Sequence, residues 1–441
     1  MKKTTVFILL IVFLSGCVVV KNEKLVQIPE KPIQIPEIER LPNGLIKTDQ
    51  FKEIDEYARN VPESETNSVR KLVSYLSIKA KTDIEKARAI YIWITNNITY
   101  DVDGLFSGNY GDLSADGCLS SRKSVCSGYS NLFEKIGNEM NLNVKSISGF
   151  AKGYGYKTGQ QSNFKTNHAW NVVNINQKWY FIDSTWGAGS VNSKGAFVKK
   201  FEEFYFLTLP EYFICKHFPE VDRWQMLEKP ISFDDFLQAS NLNQTFFDYG
   251  IKEKSHKRSE IVAKQRIDMQ LTSPENVLLI AQLITPNNKI DKNLVFVQKE
   301  GTTHTIKMEF PTVGKYKINL FAKTKEESGK FYQGVAEYII NATEGCGVNC
   351  GFPTTFGNFG TQDILLYEPL KKTLDINSTV HFKLKSPMLQ KIFVRMGQEF
   401  VELKKNGEIF EGNVLIKNKE IFLLSQLQSS SYNVLLQFEG N

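Results

Sequence analysis

The chain of 441 residues has only six cysteines, no block of a single charge sign and no apolar run long enough to span a bilayer as a stable helix, the one at its start included. Each absence removes a class of function. The formal charge of +6 is spread along a sequence in which Lys and Glu interleave. It offers at most weak attraction to an anionic surface, and no nucleic-acid partner is expected. No acidic loop carries the spacing of a calcium site. Cys346 and Cys350, in Gly345-Cys-Gly-Val-Asn-Cys-Gly351, have no histidine nearby and supply too few ligands for zinc, so a local disulfide is expected there, with no metal. Nothing points to an organic cofactor. What is present is ample apolar material, 41% hydrophobic and 12% aromatic, enough for two or three separate cores.

Cys126 stands out among the cysteines because it opens a helical run. Leu132, Phe133, Ile136 and Met140 recur along Tyr129 to Met140 with the spacing of a helix buried on one side. A sulfur at a helix start lies at the positive end of the helix dipole, where the nucleophilic thiolate is favoured over the thiol. His168 begins a strand-like segment to Ile175, and a second runs from Lys178 to Asp183, with Asn176 and Gln177 as a tight connection. Such a hairpin places the start of one strand beside the end of the other. The order Cys126, His168, Asp183 therefore supplies a thiol nucleophile, its base and the group that orients the base.

The flanking residues carry a resemblance. Val125-Cys-Ser-Gly-Tyr129, Asn167-His-Ala-Trp170 and Asp183-Ser-Thr-Trp-Gly187 resemble the transglutaminase-like superfamily of papain-related folds. Phe150-Ala-Lys-Gly-Tyr-Gly-Tyr156, Glu203-Phe-Tyr-Phe-Leu-Thr208 and His217-Phe-Pro219 narrow this to the kyphoscoliosis peptidase group. The resemblance covers about residues 80 to 227. It implies an α+β chain, with a papain/transglutaminase-like cysteine-protease core followed by small all-β domains, and Cys126, His168 and Asp183 as the catalytic residues.

At the N-terminus, Lys2 and Lys3, the apolar Val6 to Leu14 and Leu14-Ser-Gly-Cys17 resemble a bacterial lipoprotein signal. Cys17 is then the expected lipid site, and the protein is expected at the cell envelope, extracytoplasmic and anchored to a membrane without spanning it. Residues 1–17 read as signal and lipobox. Residues 18–50, with Pro29, Pro32, Pro36 and Pro42, read as an extended tether. The core is expected over 51–228, with helices from Ser64 to Ile78 and from Thr82 or Asp83 onward. In the second of these, Ile84, Ala87, Tyr91 and Ile94 line one face. Short alternating segments then predict a β-sandwich over 229–345, in which Thr312 to Leu320 resembles the strand entry of immunoglobulin-like domains. A further β-domain is expected over 361–441, beyond a glycine-rich break.

The expected chemistry is attack of the Cys126 sulfur on an amide or related carbonyl of a protein or peptide, with the Cys126 backbone N–H as one oxyanion donor. The residues leave open whether water or an amine opens the thioester, and the resemblance favours a hydrolase. A silent binding module and a cross-linking transglutaminase are the alternatives. Cys215 stays unassigned, and Cys118 is either structural or the partner of Cys126 in an inhibitory disulfide.

Overall fold

The computed structural model describes residues 38–361, 363–428 and 431–441. The expected signal, Cys17 and most of the expected tether lie outside the described residues. No helix among the described residues is long and apolar enough to cross a membrane.

The core begins earlier than residue 51. From Ile38 the chain is packed: Arg40 and Ile46 bridge, Ile46 is buried, and the Arg40 guanidinium donates to Gly44 O at 2.8 Å and Leu207 O at 2.9 Å. The longer helices that follow are α1 (Lys52–Arg59), α2 (Val69–Lys79), α3 (Asp83–Asn97) and α4 (Cys126–Glu139). Ser68 caps α2, so the segment from Glu63 to Thr66 is a separate 3-10 turn and the helix starts later than expected. Thr82 and Glu85 form a reciprocal capping box at the start of α3. That helix is buried on every side from Ala87 to Thr95, where the sequence predicts one apolar face. The Arg88 charge is accommodated there by Asp55 at 2.6 and 2.7 Å and by Glu203.

A five-stranded antiparallel sheet packs on α4. In chain order its strands are β1 (Asn143–Ala151), β2 (His168–Ile175), β3 (Lys178–Ile182), β4 (Phe206–Thr208) and β5 (His217–Pro219), arranged β4-β3-β2-β1-β5. Asn176 and Gln177 both take positive φ, 54° and 66°, as a two-residue hairpin turn matched to strand twist requires. The register pairs Ile175 with Lys178 and Asn171 with Ile182. This carries the chain from Ile182 to Asp183 beside the start of β2. Trp170, Val172 and Phe181 are buried between sheet and helices together with Leu132, Phe133 and Ile136 of α4.

Two sandwiches follow. The first pairs a five-stranded sheet containing Val277–Ile284, Gly314–Thr324 and Gln333–Ala342 with a four-stranded sheet containing Arg266–Thr272, Val295–Glu300 and Thr303–Glu309. Tyr316 ties its strand entry by donating its hydroxyl to Thr312 O at 2.9 Å. The second pairs a six-stranded and a four-stranded sheet around Phe382, Leu384, Phe410, Leu423 and Phe438. Between them Cys346 and Cys350 are joined by a disulfide. The first sandwich shares its apolar core with the α+β unit: Phe247 stacks on Tyr212 at 4.4 Å and on Phe204 at 5.6 Å.

Candidate active site

Three local structures deliver the three predicted side chains. Cys126 is the first residue of α4, whose N-cap Val125 provides no side-chain bond to the exposed amides. The helix is held by Tyr129, which donates to Ile98 O at 2.8 Å, and by Asn171 of β2, which donates to Ser130 O at 3.0 Å. Its first turn can approach the preceding strand only because residue 128 is glycine: a Cβ there would lie 2.0 Å from Ser124 Oγ. His168 is the first residue of β2 and Asp183 follows β3 directly.

Asp183 caps the short helix Ser184–Ala188, its Oδ1 accepting the backbone N–H groups of Thr185 at 2.9 Å and Trp186 at 3.0 Å. Its Oδ2 takes His168 Nε2 at 2.7 Å. That leaves Nδ1 of His168 for the sulfur, and His168 and the backbone of Ala169 both act on Cys126 to favour its thiolate. The structure thus brings Cys126, His168 and Asp183 into one chain of contacts.

The same Asp183 oxygen accepts a second imidazole, His217 Nε2 at 2.9 Å, from the edge strand β5. His217 stands in the motif His217-Phe-Pro219, but the sequence gives it no role. Its position depends on β5 joining the sheet beside β1, which no local pattern encodes. The ring is buried, stacked on Phe213 at 3.9 Å and against Trp186 at 4.4 Å.

These contacts separate the charges. Burial opposes ionisation of Asp183, but the His168 charge and the two imidazole bonds outweigh it and hold the carboxyl well below the usual range. For His168, burial alone would favour the neutral ring, while the Asp183 charge and hydrogen bond and the Cys126 contact raise it to about 10. Burial disfavours the Cys126 thiolate as well, yet the hydrogen bond and charge of His168 lower it. His217 goes the other way, pushed down to about 4 by burial despite its carboxylate partner. The arrangement favours a thiolate beside an imidazolium, with a neutral second imidazole behind them.

The other thiols lack these features. Burial pushes Cys118 and Cys215 up to about 12. Cys118 is a free, fully buried thiol, so the inhibitory disulfide is not formed.

His168 lines a cleft of about 680 Å³. Tyr100, Tyr154 and Trp186 line it, and so do Asn243, Gln244 and Thr245, just ahead of the first sandwich. Gly153, in the glycine-rich loop after β1, lets that loop lie on the Trp186 ring, which a Cβ would meet at 3.1 Å. Among the described residues two side-chain groups have the composition of a metal site, His168 with Asp183 and His217, and Glu309 with Cys346 and Cys350. In the first, the nitrogens and the carboxylate already satisfy one another as hydrogen bonds; in the second, the sulfurs are spent in the disulfide.

Residues 70–184 match the transglutaminase-like superfamily, and residues 233–353 match the KY-like, immunoglobulin-like domain. The chain has a transglutaminase-like core followed by a KY-like immunoglobulin-like domain. It is 32% identical over 295 residues to the kyphoscoliosis peptidase of Homo sapiens, a match that covers 66% of this chain and 43% of that protein. Over 216 residues it is 31% identical to the Lim and transglutaminase domain protein ltd-1 of Caenorhabditis elegans, covering 46% of this chain and 30% of the other. Hillarin of Drosophila melanogaster is 31% identical over 220 residues, covering 46% and 26%. The chain therefore spans less than half the length of these curated relatives.

Proposed function

We propose that this chain is a cysteine hydrolase of transglutaminase-like type, a peptidase or amidase, held outside the cytoplasm on a membrane by a lipid on Cys17. The observation that carries the catalytic part is the run of contacts from Cys126 through His168 to Asp183 beside an open cleft. The matches to the kyphoscoliosis peptidases favour hydrolysis. The anchor rests on the N-terminal sequence, and the disulfide of Cys346 and Cys350 fits an oxidising compartment.

The steps follow from the groups. The Cys126 thiolate attacks the carbonyl of a peptide or amide, and the backbone N–H of Cys126 faces the developing oxyanion. The His168 imidazolium gives its Nδ1 proton to the leaving amine as the C–N bond breaks, leaving a thioester on sulfur. Neutral His168 then takes a proton from water, whose oxygen opens the thioester and returns the thiolate. Asp183 keeps the imidazole in the required tautomer throughout.

The test is to incubate the full chain and its Cys126→Ala variant with an unfolded protein substrate, with and without an added primary amine, and to analyse the products by mass spectrometry. New peptide termini or deamidated side chains that need Cys126 support the hydrolase. Incorporation of the amine in their place means transfer. Identical products from the two proteins, with no acyl group trapped on Cys126, refute an enzymatic role.

A further inference from the structure

The reaction above uses one imidazole, but the carboxylate serves two. His168 and His217 approach the same oxygen of Asp183, at 2.7 and 2.9 Å, while the other oxygen is held by two backbone N–H groups. All four bonds converge on a fully buried carboxylate. A carboxylate gripped at one oxygen only can swing about its Cβ–Cγ bond. Gripped at both, and twice on the oxygen that faces His168, it has one orientation.

The charge state of His217 suits this task. The titratable groups facing its ring are Asp183 after β3, His168 at the start of β2 and Tyr205 ahead of β4; Trp170, Trp186 and Phe213 close the remaining sides. Burial and the neighbouring His168 both oppose a second imidazolium. A neutral ring that donates from Nε2 adds a hydrogen bond to the carboxylate without competing with His168 for its charge. Hydrogen bonds to the charged form are what keep a buried carboxylate ionised. An ionised Asp183 in turn keeps the shared proton on His168 and off the sulfur.

We infer that His217 is a positioning residue of the thiol site: its Nε2–H fixes Asp183 Oδ2 in line with His168 Nε2 and thereby holds Cys126 as the thiolate. The inference rests on the thiolate–imidazolium reading given under the proposed function. A histidine that merely filled the core would leave the proton balance of Cys126 unchanged when replaced by another well-packed ring.

The experiment is the pH dependence of Cys126 alkylation by iodoacetamide in the full chain, for wild type, His217→Phe, His217→Gln and His168→Ala, with circular dichroism as the check on folding. His217→Phe keeps a ring and loses the donor, and its lower inflection is expected to rise by about one pH unit, which slows labelling near pH 6 about tenfold. His217→Gln keeps an N–H donor and is expected to recover part of that loss. A folded His217→Phe protein with the wild-type profile overturns the inference and leaves the catalytic reading intact. If wild type itself labels only near the ordinary thiol value of about 8.5, unchanged in His168→Ala, both readings fall. Should the His217 variants fail to fold, nitrogen NMR of the imidazoles in wild type decides: His217 is expected to stay neutral and protonated on Nε2 from pH 5 to 8, and a ring that titrates normally in that range overturns the inference.

Discussion

Replacing Asp183 by asparagine keeps the shape of the side chain and removes its charge, so it isolates what the carboxylate does for the sulfur. The substituted amide can still accept from Thr185 and Trp186 through its oxygen, but it would then point N–H groups at His168 and His217, whose Nε2 atoms lie 2.7 and 2.9 Å from Oδ2 of the native carboxylate. His168 can relieve that conflict only by moving its proton to Nδ1, the nitrogen facing Cys126, where it can no longer receive the thiol proton. Two losses therefore act together: the imidazolium loses its counter-charge, and the neutral ring is locked in the wrong tautomer. Breaking a buried pair by removing one partner costs about 3–5 kcal/mol, which at roughly 1.4 kcal/mol per tenfold lowers the thiolate population by a hundredfold or more. Alkylation of Cys126 near pH 6, followed by mass spectrometry of its peptide, should fall by that factor. The buried Cys118 and the half-buried Cys215, whose thiols are both pushed up to about 12, serve as slow internal references. Labelling of a folded Asp183→Asn protein within about threefold of wild type would refute the charge argument, because even one pKa unit of coupling corresponds to tenfold.

Three further outcomes follow from the same contacts. Stability should fall on acidification: the depressed His217 contributes fully above its unfolded value near 6.5 and loses that contribution as pH drops through about 4, a change of roughly 3 kcal/mol at 1.36 kcal/mol per unit; urea unfolding midpoints that stay flat from pH 7 to 4 would contradict this. Arg88→Met strands Asp55 and Glu203 beside an apolar side chain and should cost about 3–5 kcal/mol in urea unfolding, where a loss below about 1 kcal/mol would mean the triad contributes little. A chain ended after residue 228 loses the cover that Phe236, Phe246 and Phe247 provide, worth roughly 5–9 kcal/mol at 1.5–3 kcal/mol per ring; a cooperatively folded fragment with a reactive Cys126 would show that the sandwich is dispensable.

What could be read from the sequence was whatever short segments fix by themselves. The Asn176-Gln177 turn forces a hairpin, the hairpin sets the register, and the register places the first residue of β2 beside the residue that follows β3. Cys126 needed only a helix start, and Thr82 or Asp83 marked the head of α3, where Thr82 is the cap. The failures all involve partners far along the chain. Arg88 and Glu85 make α3 look half-exposed, yet the Arg88 charge is met by Asp55 on α1 and by Glu203, so the helix runs through the middle of the core. Pro42 belongs to a segment that reads as tether, and Arg40 and Ile46 dock it against residues near Leu207. Strand Glu260–Ala263 lacks a hairpin partner because it pairs in parallel with Gln333–Ala342.

The position of the cleft follows from this difference between local and distant signals. The part around His168 is built from segments that each state their own conformation, whereas the edge formed by Asn243 to Thr245 comes from the start of the sandwich unit and is held there by Phe246 and Phe247 packing under the core. Lys152 adds a second tie, its buried ammonium donating to Phe236 O at 2.6 Å and Ala239 O at 3.3 Å at the end of the connecting helix Phe233–Gln238. A substrate lying along the cleft would meet side chains of both units. On the proposed reading, the transglutaminase-like core would bring the thiol chemistry, and the shape of what reaches that thiol would be set jointly with the immunoglobulin-like domain. Substitutions at Asn243 or Thr245 should therefore alter substrate choice, read as a change in the ratio of cleavage rates between two peptides, while the rate of Cys126 alkylation stays at its wild-type value; a parallel loss of both would mean that this edge supports the fold of the site and does not select what enters it.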